Sequence, residues 1–90
     1  MKINTQEGEL NYCFYCPGCK IRHGFNDSWK FNGDMNNPTI KPSILVKWSY
    51  GGKDDYVKHV CHSYITEGKI RFLNDCTHEL AGQTVELPEL

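Results

Sequence analysis

Tyr15-Cys16-Pro17-Gly18-Cys19-Lys20 constrains this chain more than any other stretch. Two cysteines separated by Pro-Gly read as a metal knuckle, a tight turn that points both sulfurs at one place. Proline presets φ, and glycine is expected at the positive-φ position that closes the turn. A knuckle supplies only two ligands and has to be completed from elsewhere. The chain offers Cys61-His62 and Cys76-Thr77-His78. Two separated clusters of this kind predict one site, with Zn2+ as the ion, that pins distant segments together.

Such a staple suits a chain of this size. Its 90 residues predict a single domain over 1–90, with residues 1–9 frayed or weakly paired. A core this small is commonly supplemented by a metal. The odd count of five cysteines argues against a closed disulfide framework. No apolar stretch precedes the first cysteine, and the longest apolar run is Ile44-Leu45-Val46. No membrane association is therefore expected, and a cytoplasmic setting would keep the thiols reduced. The net charge of −1 gives no electrostatic basis for tight nucleic-acid binding. The tail from Glu79 to Leu90 is acidic, with no Lys or Arg.

The pattern along the chain is mainly β. Leu10 to Tyr15 is an aromatic-rich strand running into the knuckle, and Ile21 to Phe25 is its return strand, which makes a zinc-ribbon hairpin. Trp29 to Phe31 is a short strand. Thr39 to Tyr50 follows, with Pro42 placing its first part at an edge or a bend. Gly51-Gly52-Lys53-Asp54-Asp55 is a polar connection. Tyr56 to Thr66 and Lys69 to Asn74 form a hairpin joined at Glu67-Gly68. Its register sets Thr66 opposite Lys69 and Ser63 opposite Phe72. Alternation then places His59, Cys61, Ser63, Ile65, Ile70, Phe72, Asn74 and Cys76 on one face, with His62 and Tyr64 on the other. Asp75 to Ala81 reads as one short helical turn, with Asp75 as N-cap and Gly82 just past its end.

By this face argument Cys16, Cys19, Cys61 and Cys76 are the expected metal ligands, and His62 is the rival to either of the last two. Cys13 is expected to be a packed, free thiol. A redox role for Cys16 and Cys19 would require a following long helix, and no helical pattern is present. A sulfur-rich closed site is structural. Alongside it, His62, Asp75, His78 and His23 are candidate catalytic residues, since they supply bases and an orienting carboxylate. Trp29, Trp48, Tyr56, Tyr64 and Phe72 read as core residues. Thr39 and Ser43, beside Pro38 and Pro42, are expected to satisfy turn backbone groups.

Beyond the knuckle, the pattern includes His23, Trp29, Asn32-Gly33, Pro38-Thr39 and Pro42-Ser43-Ile44. It continues through Cys61-His62-Ser63, Gly68-Lys69-Ile70 and Asp75-Cys76-Thr77-His78 to Leu80-Ala81-Gly82-Gln83-Thr84-Val85. This pattern resembles a family of small phage and prophage Cys/His-rich proteins of unknown function, often labelled ammonia monooxygenase. The resemblance implies a phage accessory protein that binds metal. The monooxygenase label finds no support in these residues. Two functions lead at this point. One is a zinc-stapled interaction module whose partner is a host protein, in the host cytoplasm. The other is a small zinc-dependent hydrolase or nucleotide-processing enzyme using His62, Asp75 and His78. A nucleic-acid-binding zinc ribbon comes third, weakened by the charge.

Overall fold

The computed structural model describes residues 1–52 and 57–90. Two antiparallel sheets make up the fold, and no helix occurs among the described residues. The first sheet has the order β1-β2-β3: β1 is Asn4–Thr5, β2 Tyr12–Cys16 and β3 Ile21–Phe25. The second has the order β4-β5-β6-β7-β8: β4 is Lys30–Phe31, β5 Ile40–Tyr50, β6 Val57–Thr66, β7 Lys69–Phe72 and β8 Thr84–Glu86. The mainly β, zinc-ribbon-like reading holds. The connection expected over Gly51 to Asp55 and the strand start expected at Tyr56 fall in part on 53–56, outside the described residues.

The hairpin of β6 and β7 forms as its sequence dictates. Glu67 and Gly68 both take positive φ, 48° and 78°, the requirement of a two-residue primed turn. The register is Thr66↔Lys69, Tyr64↔Arg71 and Ser63↔Phe72. Alternation therefore buries Cys61, Ser63, Ile65, Ile70 and Phe72 and turns Tyr64 and Arg71 outward. The inner face packs against Phe14 and Phe25 of the first sheet in one core. Phe25 stacks on Tyr12 with centroids 5.2 Å apart and meets Phe31 edge-on at 5.5 Å. A fully buried ring such as Phe14 or Phe25 contributes on the order of 1.5–3 kcal/mol.

β5 is where the sheet departs from a simple ladder. Ile40 pairs with Ile65 and Ile44 with Ser63, so Lys41, Pro42 and Ser43 together face Tyr64 alone. Proline cannot donate to a ladder and is found at such bulges. A bulge re-aims the side chains that follow it.

One expectation is corrected. Asp75 to Ala81 forms non-helical turns, because β6 engages its backbone first: Thr77 N–H donates to Val60 C=O at 2.9 Å. The N-terminal segment, expected to be frayed or weakly paired, makes one short pairing and is anchored at Ile3. Ile3 is fully buried, β1 pairs with β2 over two residues, and the Lys2 and Ile3 N–H groups both donate to Met35 C=O. An apolar Ile3 over the core explains why this end stays down.

Candidate functional site

β2 and β3 carry the knuckle at their connection, and β6 and the segment after β7 come up against it. Ligand atoms of Cys16, Cys19, Cys61 and His78 lie within 4.8 Å of one another, positioned to bind a metal ion. The Cys16 and Cys61 sulfurs are 3.8 Å apart. Tetrahedral zinc with Zn–S near ~2.3 Å requires a separation of about 3.8 Å, so the spacing fits. Cys19 N–H donates to Cys16 Sγ at 3.3 Å, as expected of a knuckle amide facing a thiolate. His78 Nε2 is buried with no hydrogen-bond partner among the described residues, which a metal would supply. Leu80 N–H donates to His78 Nδ1 at 3.2 Å. An ion at Nε2 would put the ring proton on Nδ1, so this contact would open on loading.

Gly18 has a different role from the one its turn position suggests. It is not among the positive-φ glycines; Lys20 takes that conformation, with φ 61°. A Cβ at Gly18 would instead run into the His78 ring. The glycine makes room for the imidazole. Gly18→Ala and His78→Ala should therefore each weaken metal binding by about 10–100-fold, measured by competition with a chromophoric chelator. Unchanged affinity in both would remove His78 from the ligand set.

The group differs from the expected one at one position: His78 is in it and Cys76 is not. Cys76 is buried against β6. Its Sγ accepts from His62 N–H and its S–H donates to His62 C=O, both at 3.2 Å. Pairing of β7 does not continue to Cys76, because the strand ends at Phe72.

Protonation of the sulfurs is uneven. The Cys61 thiol donates to Cys16 and lowers it to about 4 against the opposing effect of burial, with His23 assisting. That same hydrogen bond pushes Cys61 up. Burial first, then the Cys16 charge, pushes Cys19 up to about 12. At neutral pH, Cys16 is thus the one thiolate of the three, and loading an ion must drive protons from Cys19 and Cys61. Calorimetry at pH 7.5 in buffers of different ionisation enthalpy should show about two protons released per ion. Release of none would mean that the thiols are not ligands.

A second constellation lies on the outer face, away from the sulfurs. His62 Nε2 is 2.9 Å from Ser43 Oγ, and His62 Nδ1 is 3.1 Å from Asp75 Oδ2. Each member has a visible support. Trp29 Nε1–H donates to Ser43 C=O at 3.3 Å, beside the bulge. The Cys76 exchange and the Leu73 N–H bond to His62 C=O, 2.9 Å, fix His62 to the segment that carries Asp75. Ser43 and His62 are half-buried, and Asp75 is exposed. A hydroxyl against one imidazole nitrogen and a carboxylate against the other is an arrangement that can supply a nucleophile, a base and an orienting group.

The structure thus unites two of the candidate catalytic residues, His62 and Asp75, and separates the others. His78 belongs to the metal group. His23 is buried on the inner face, edge-on to Phe14 at 5.7 Å. His62 contributes its ring to Ser43 and Asp75, not to the metal group. Sequence reasoning missed Ser43, which was expected to satisfy turn backbone. Thr39 does so, with its Oγ1 accepting from Glu67 N–H at 2.9 Å. The available signal for Ser43 was Pro42 inside a strand, which announces a bulge.

The model of one family matches residues 1–73 of the chain; its description is bacterial ubiquitination-like system serine protease (BubE). The chain belongs to this family. Neither a phage origin nor the monooxygenase label figures in that description. No curated protein and no solved structure matches the chain. Ser43 and His62 lie inside the matched residues, while Asp75 and His78 lie beyond them.

Proposed function

From membership in the BubE family and the meeting of three side chains, we propose that the chain is a serine protease acting within a bacterial ubiquitination-like system. The observation that carries this reading is His62 between Ser43 Oγ, at 2.9 Å, and Asp75 Oδ2, at 3.1 Å. Ser43 Oγ attacks the scissile carbonyl while His62 Nε2 takes its proton. Asp75 holds the ring orientation and stabilises the imidazolium. His62 returns the proton to the leaving amine, and the carbonyl carbon is left as an ester on Ser43. Water then attacks that ester, giving its proton to His62, and Ser43 regains a proton as the carboxylic acid leaves. The residues fall in the chain order Ser, His, Asp, unlike the chymotrypsin, subtilisin and α/β-hydrolase orders, which suits recognition by geometry.

The metal ion, zinc in this reading, would be held by Cys16, Cys19, Cys61 and His78 and would brace the fold. Four protein donors leave no position for substrate water. The zinc-hydrolase alternative asks His78 to work beside His62, and His78 lies instead in the metal group. A module that docks on a host protein would act the same with or without the Ser43 hydroxyl. The two are separated by incubating a proteome-derived peptide mixture with wild type and with Ser43→Ala. New termini with wild type alone support the protease; the same absence of cleavage in both supports the module.

A further inference from the structure

The face that carries Ser43 and His62 continues into a groove of about 790 Å³ across β6, β7 and the start of β8, whose lining includes Tyr64, Thr66, Glu67, Lys69, Arg71 and Thr84. Tyr64 is the β6 residue that the 41–43 bulge faces, so the groove begins beside the nucleophile. Arg71 lies directly opposite Tyr64, and Lys69 opposite Thr66. With strands ~4.8 Å apart, Arg71 sits about two strand spacings, ~10 Å, from Ser43. An extended peptide covers that distance in about three residues. The groove therefore spans positions immediately beside a bond held at Ser43.

Its chemistry is amphipathic. Tyr64 is 41% exposed, an aromatic face open to a ligand. Among the described residues, neither Lys69 nor Arg71 makes an ion pair; the Lys2 ammonium takes Glu86 instead, at 2.8 Å. Among the described residues the one acidic lining residue, Glu67, is at the hairpin tip, the far end from Ser43. Lys69 lies opposite Glu86 on β8, whereas Arg71 lies opposite Thr84, so Arg71, set beside an aromatic ring, is the cation that suits a carboxylate carried on an extended chain. Resting on the protease reading, we infer that this groove is the substrate subsite, and that it selects an Asp or Glu side chain within about three residues of the scissile bond through Arg71.

The test separates binding from catalysis. Two blocked octapeptides of alanine and glycine, one carrying a central glutamate and the other a central lysine, are titrated into ¹⁵N-labelled Ser43→Ala protein. Blocked ends keep terminal charges out of the comparison. The glutamate peptide should bind on the order of tenfold more tightly and shift the amides of Tyr64, Thr66 and Arg71. Arg71→Glu, a change at an exposed position, should reverse the preference, and Arg71→Lys should keep its direction. Equal affinity for the two peptides, shifts confined to other surfaces, or a preference unmoved by Arg71→Glu would each overturn the subsite. A serine-directed reagent on the wild-type chain reports on Ser43 independently, so loss of the subsite and loss of the protease reading are distinguishable.

Discussion

Ser43→Ala should abolish peptide cleavage, lowering kcat by at least on the order of 10⁴-fold, with circular dichroism and metal content unchanged. Replacing Oγ removes the atom that becomes acylated, and the site then offers only binding. His62→Ala should fall to the same level. The double variant should be no worse than either single one, because nucleophile and base act as a unit. Asp75→Asn should cost about 10⁴-fold, since the carboxamide no longer fixes the ring tautomer. Its exposed position, 55% accessible, leaves the fold indifferent to this change. Progress curves on one cleaved peptide measure all four. Full activity in Ser43→Ala would end the nucleophile assignment. A double variant much weaker than either single one would mean that Ser43 and His62 work separately.

The second large effect concerns the metal group. Stripping the ion with a chelator, or Cys16→Ser, should unfold the chain near room temperature. Structural zinc contributes an apparent ~10 kcal/mol or more, comparable with the whole ~5–15 kcal/mol stability of a small domain. Unfolding would take the active site with it. Cys61 precedes His62 and His78 lies three residues after Asp75, so the staple and the outer-face residues share the same backbone. Turnover should return when zinc is restored, and it should also survive substitution by cadmium, because a thiolate-rich staple accepts another soft ion without taking part in the reaction. Thermal melts with elemental analysis check the first claim. A metal-free chain that melts like the native one would remove the staple, and activity that survives zinc but not cadmium would move the ion into the chemistry.

Residue types and short-range spacing made part of this molecule legible. Cys16-Pro17-Gly18-Cys19 announced the knuckle, and Glu67-Gly68 announced a primed turn with its register. That register carried Cys61 inward and Tyr64 outward, and the reading of Tyr64 as a core residue gives way to it. What stayed hidden depended on where regular pairing stops. Past Phe72, where β7 ends, the hairpin register no longer holds, and the chain brings up His78 in the place expected for Cys76. The bulge between Ile40 and Ile44 has no unique signature beyond Pro42, yet it decides which way Ser43 points. The helical turn expected after Asp75 lost to β6, whose Val60 and His62 backbone groups engage Cys76 and Thr77. Gly18 was correctly marked as special, for a conformational reason, when the physical reason is the volume of the His78 ring. The pairing of Ser43 with His62 spans 19 residues, and that of His62 with Asp75 spans 13, and neither distance matches a local motif.

The central claim is that Ser43 is a nucleophile activated by His62. Diisopropyl fluorophosphate reacts with such a serine and leaves ordinary hydroxyls alone. Intact-mass spectrometry of the zinc-loaded chain after treatment should show a single diisopropylphosphoryl adduct, and peptide mapping should place it on Ser43. His62→Ala, folded and metal-loaded, should show none. An unmodified wild-type chain, or an adduct on another residue that persists in His62→Ala, would contradict the account.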